Sequence, residues 1–105
     1  MTDSVRDHLG IDDLIKDKRE AIIQLAAQYG ASNVRVFGSV ARGDANESSD
    51  IDLLIDQDWS RLSGWGGMAL VVALEELLGR KVDVATVEEL KPHIQKQALK
   101  EAVRL

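Results

Sequence analysis

Gly38-Ser39-Val40-Ala41-Arg42-Gly43-Asp44-Ala45-Asn46-Glu47-Ser48-Ser49-Asp50-Ile51-Asp52 is the stretch on which fold and chemistry both turn. Before it, Val34–Phe37 is a short β-rich run that stops at Gly38-Ser39. After it, residues 50–56 alternate, with Ile51, Leu53 and Ile55 on one face and Asp50, Asp52, Leu54 and Asp56 on the other. A period of two predicts a strand with one packed face. The polar stretch Gly43–Ser49 between the two runs reads as a turn-like loop. Asp50 and Asp52 therefore project from the same side of a strand, ~6 to 7 Å apart. Two like charges so placed repel, and a dication between them relieves the repulsion. Hard carboxylate oxygens are the ligands Mg²⁺ prefers, usually one or two of them together with substrate phosphates.

Working outward, Lys81-Val82-Asp83-Val84-Ala85 predicts another strand whose lone acid alternates out of phase with its valines. If this strand neighbours 50–56, Asp83 joins Asp50 and Asp52 on one face. Three carboxylates on adjacent strands suit two metal ions, one activating a nucleophile and one neutralising a leaving pyrophosphate. Asp83 is then placed beside the attacking hydroxyl as metal ligand and base. Gly38 at a strand end lets backbone approach phosphate without a Cβ in the way. Ser39 offers a hydroxyl, and the free N–H groups of the turn form an anion site. Arg42, one helical turn beyond Ser39, faces the same region and is expected to hold a phosphate.

The remaining chain supplies helices. Ile11, Leu14, Ile15, Ile22, Leu25, Ala26 and Tyr29 predict one amphipathic helix over 11–29, with Asp12 and Asp13 in its first turn and Gly30 as its stop. Residues 65–78 predict a helix apolar on more than one face, hence deeply buried or meeting a partner. Gly79 ends it. Thr86 with Glu89 resembles a capping box, and Pro92 suits the first position of a last helix over 92–103. The expected order is α-β-β-α-β-α, an α/β (α+β) fold with a small mixed sheet of about three strands packed by helices.

Composition bounds the rest. The 105 residues are expected to form one domain over 1–105, of which about 1–10 are an N-terminal extension. The formal charge of −5 and scattered Lys and Arg argue against nucleic acid as a direct partner, and favour a cation site. The absence of cysteine excludes disulfides and thiolate chemistry and fits a reducing cytoplasm. No stretch reaches the ~18 to 20 apolar residues of a membrane span, and the first residues do not resemble a signal peptide. Asp56, Asp58, His8 and His93 read as surface groups, Tyr29 as packing, and Trp59 and Trp65 as loop or core anchors.

Gly-Ser, ten intervening residues, Asp-x-Asp and a third Asp on a later strand together resemble the DNA polymerase β-type nucleotidyltransferase superfamily. The short length and the segments GSVARGDANESSDIDLLI and LLGRKVDVAT are most similar to the minimal nucleotidyltransferases (MntA-type), over roughly 11–105. The resemblance implies a phosphate-gripping pair at Gly38 and Ser39, metal-binding acids at Asp50 and Asp52, and a third catalytic acid at Asp83. It implies Mg²⁺, with two ions expected, and ATP as the nucleotide substrate. It further implies an antitoxin that transfers AMP from ATP to a tyrosine of a HEPN-domain ribonuclease toxin, in a hetero-oligomer with it. No Arg stands four to six residues before His8 or His93, so the chain does not itself carry the ribonuclease motif. Two alternatives remain: a non-catalytic module that neutralises a toxin sterically, and an enzyme acting on a small hydroxylated substrate such as an aminoglycoside. An acceptor carried by a bound protein would meet the 65–78 helix with Trp59 and Trp65.

Overall fold

The computed structural model describes residues 8–61 and 66–105. Among these described residues, five helices and four strands follow in the order α1 (Ile11–Leu14), α2 (Arg19–Gln28), β1 (Ala31–Phe37), α3 (Gly38–Arg42), β2 (Ile51–Gln57), α4 (Gly66–Leu78), β3 (Val82–Thr86), α5 (Pro92–Glu101) and β4 (Val103–Arg104). The strands form one mixed sheet ordered β3-β2-β1-β4. β1 runs antiparallel to β2 and to β4, while β2 and β3 are parallel, joined through α4. A parallel pair needs such a crossover, and a helix of this length supplies it.

Three expectations need correction. The helix predicted over 11–29 is broken. Lys16 takes a left-handed φ of +51°, and a 3-10 turn over Lys16–Lys18 separates α1 from α2. The break falls where the apolar period lapses, in Lys16-Asp17-Lys18-Arg19-Glu20, while Ile15 and Ile22 on either side are fully buried. The helix predicted over 92–103 ends at Glu101, and Val103–Arg104 adds a fourth strand beside Arg35 and Val36. Two residues carry no readable period, so this strand is set by tertiary pairing alone.

The third correction concerns burial. Val36, Ile51, Leu53, Leu70, Leu74 and Val82 belong to one buried cluster, with α2 and α4 packed on the sheet. Leu54, expected on the polar face, is also fully buried, as is Ala98 on α5. α5 folds back against β1 and α3 and closes part of the second face. The expected Thr86–Glu89 capping box is formed, with Thr86 N–H donating to Glu89 Oε1 at 2.9 Å.

Candidate active site

The face of β2 and β3 opposite the main core is only partly covered, and the acids stand there. Asp52 and Asp83 are register partners across the parallel strands. Their side chains therefore leave the same face from neighbouring strands about 4.8 Å apart. Asp50 lies one residue before β2, not within it, because the strand starts at Ile51, whose N–H donates to Lys81 O at 2.9 Å. Burial, then the charge of Asp83, then that of Asp50 push the Asp52 carboxyl up to about 6; Arg42 opposes this and Glu101 adds to it. Residues distant in sequence thus meet electrically at Asp52.

They do not meet as a closed cage. Among the described residues, no three His, Asp or Glu side chains come together closely enough to ring a cation. The donor set still suits a hard divalent ion, since it consists of carboxylate oxygens around a half-buried acid.

The chain leaves β1 in an extended Phe37 and enters α3 at Gly38 with φ +74°. Only glycine adopts this conformation readily. A second constraint is steric, because a Cβ at position 38 would overlap Asp52 Oδ2. Ser39 follows, partly exposed, in the first turn of α3. Gly43 closes α3 in the left-handed region, and the loop beyond is held by Ser48 N–H and Ser49 Oγ donating to Asn46 Oδ1 at 2.9 and 3.3 Å.

Arg42, expected on a phosphate, is engaged within the chain. Its Nε donates to Asp44 Oδ2 at 3.1 Å, and its Nη1 donates to both oxygens of Glu101 at 3.1 Å. Hydrogen bonds to Glu101 and then Asp44 push its guanidinium pKa higher still. Glu101 also accepts the Gly38 N–H at 2.9 Å. Sequence reasoning missed Glu101, which reaches the site only because α5 returns across the sheet. It also missed Arg80, whose Nη1 donates to Asn46 O at 3.2 Å and Ser49 O at 2.8 Å and so braces the loop before Asp50. Asp56, expected to be solvated, pairs with Arg35 at 2.7 Å while staying exposed. Trp65 lies outside the described residues; Trp59 is exposed.

The fold, the glycine turn and the paired acids agree with the match of residues 15–105 to the nucleotidyltransferase domain model. The chain belongs to the nucleotidyltransferase domain family and is an enzyme of that class. Among its relatives, the protein adenylyltransferase MntA of Thermococcus cleftensis is 38% identical over 81 residues, 76% of this chain and 80% of that protein. A relative in Methanocaldococcus jannaschii, named for the same activity, is 35% identical over 89 residues, 85% of this chain and 95% of that one. A solved minimal nucleotidyltransferase superposes with a TM-score of 0.79 at 42% identity, over 93% of this chain and 98% of that chain. A toxin–antitoxin complex solved with AMP-PNP shares the fold, with a TM-score of 0.66 at 21% identity, over 82% of this chain and 70% of that chain.

Proposed function

We propose that the chain transfers AMP from ATP to a tyrosine hydroxyl of a HEPN-type ribonuclease toxin and so silences it in the cytoplasm, acting as a single minimal domain. The observation that carries the reading is the registered pair Asp52 and Asp83 on the open sheet face, with Gly38 beneath Asp52. The tyrosine oxygen attacks the α-phosphorus of ATP. A new P–O bond forms as the bond to the oxygen bridging the α- and β-phosphorus breaks, and pyrophosphate leaves. The hydroxyl proton passes to Asp83, which is exposed and so open to an acceptor arriving from outside. Asp50, Asp52 and Asp83 would hold Mg²⁺, which supplies charge neutralisation for the phosphates when bound. Ser39 and the Gly38 turn orient the phosphates.

Two facts support a protein acceptor. The relatives above are named for protein adenylylation. The chain also exposes Trp59, Met68 and Val72, large apolar groups suited to a partner surface. Incubation with labelled ATP, Mg²⁺ and the neighbour-encoded toxin should label the toxin on tyrosine. Asp50→Asn with Asp52→Asn should abolish the label while the chain stays folded. The rival to this reading is a module that covers the toxin without chemistry. Neutralisation that survives the double substitution would select that rival.

A further inference from the structure

Glu101 stands where a local rule is broken. It lies in the last turn of α5, the end at which a helix disfavours negative charge. It is a carboxylate with only 12% of its side chain exposed, and it adds to the repulsion that pushes Asp52 upward. A triphosphate bound at Gly38-Ser39 would feel the same repulsion. Such a residue needs compensation, and the structure shows it. Glu101 Oε1 accepts from Gly38 N–H at 2.9 Å and from Arg42 Nη1 at 3.1 Å. Its Oε2 accepts from Arg42 Nη1 at 3.1 Å and from Gln97 Nε2 at 3.1 Å. Burial works to raise its carboxyl, but these bonds outweigh burial and hold it below the ordinary glutamate range.

We propose that Glu101 is a positioning residue for nucleotide binding: it fixes the Gly38 amide and clamps one arm of Arg42, so that the rest of the guanidinium is presented to a phosphate. The inference rests on the nucleotide site of the proposed function. Its geometry is specific. Arg42 Nε is spent on Asp44 and Nη1 on Glu101, whereas among the described residues Nη2 has no partner. The guanidinium is planar, so fixing two of its nitrogens fixes the direction of the third. Arg42 is 45% exposed, and Glu101 is the inner anchor of the pair. After one intervening residue beyond Glu101 the chain enters β4, which pairs with Arg35 and Val36 just before the Gly38 turn. The same short segment thus braces both sides of that turn.

The test is a double-mutant cycle on MgATP affinity, measured by titration calorimetry on the full chain, with thermal melts confirming the folded state. Glu101→Gln and Arg42→Ala should each weaken MgATP binding about tenfold, and the double variant should be no weaker than about either alone. Losses that multiply to about a hundredfold would mean that Glu101 does not act through Arg42. Unchanged or tighter binding by Glu101→Gln would also overturn the inference, the latter by making Glu101 a competitor of phosphate. Where Glu101→Gln lowers the folded fraction, Glu101→Asp runs the same cycle, keeping the charge and shortening the reach by a methylene. It should show the same non-additivity with Arg42→Ala. Toxin labelling is scored in parallel. A wild type that binds MgATP but labels nothing overturns the protein-transfer reading alone. One that labels the toxin while the cycle is multiplicative overturns the Glu101 inference alone.

Discussion

Gly38 sits so close beneath the Asp52 carboxylate that a Cβ at position 38 would overlap Asp52 Oδ2. Gly43, five residues on, has an equally left-handed φ of +79° but nothing within 4 Å of where its Cβ would stand. The two glycines separate backbone strain from site geometry. Gly43→Ala should cost about 1–2 kcal/mol of stability from strain alone and leave catalysis near wild type. Gly38→Ala should carry a similar strain and also displace Asp52, so its kcat for AMP transfer should fall by roughly a hundredfold or more. Urea melts read the first effect and single-turnover labelling the second. Equal activity in the two variants would show that Asp52 does not need this contact.

Asp52 also predicts how stability varies with pH. Its carboxyl is raised from 3.8 to about 6 by burial and by Asp83 and Asp50. The folded state therefore holds this proton more tightly than the unfolded chain. The associated stability is fully present below 3.8 and is lost as pH rises through about 6. Metal-free protein at pH 7 should accordingly carry a penalty that Asp52→Asn removes. With allowance for solvent screening we expect a gain of about 1–2 kcal/mol, together with loss of activity. Melting in EDTA between pH 4 and 7 checks this, and the variant should show a flatter profile than wild type. Added Mg²⁺ should raise the wild-type Tm and move the variant less.

Much of this site was legible in the sequence because its signals are local. Alternation over 50–56 placed Asp52 opposite the main core, and the same period placed Asp83 between two valines. Gly38 was legible as a residue allowing close approach, although the group that approaches it in the structure is Asp52. What escaped depends on tertiary return. Alternation put Leu54 on the polar face, yet it is fully buried, and Glu101 carried no sequence signal because it reaches Gly38 only through the return of α5. The Lys16 break was visible only as a gap in the apolar period, which a single helix tolerates on paper.

Arg80 was invisible for the same reason, and it makes the next prediction. Its Nη1 donates to the carbonyls of Asn46 and Ser49, tying the start of β3 to the loop that delivers Asp50. Backbone carbonyls accept only from a donor at that place, so alanine leaves both without this partner. Arg80→Ala should cost about 1–3 kcal/mol and free Asp50 from its fixed position. Transfer should fall about tenfold in kcat with KM for ATP changed less, because the Gly38 turn is untouched. Steady-state kinetics separates these, and a change confined to KM would place Arg80 with the nucleotide instead.

The last prediction concerns the partner. α4 buries Leu70 and Leu74 and leaves Met68 and Val72 at 63% and 49% exposure, with Trp59 exposed at 59%. The sequence had marked this helix as apolar on more than one face, and the buried side is now accounted for by the core. An aspartate on the outer side touches nothing inside the fold, so Val72→Asp should leave the thermal melt within about 0.5 kcal/mol of wild type. Placed in the middle of a partner contact, the same charge would be buried without a counter-ion, which is severely unfavourable. Val72→Asp should therefore lose co-purification with the toxin and toxin labelling together, while MgATP affinity stays at the wild-type value. If the complex forms and the toxin is still labelled, the partner docks on a surface other than this face of α4.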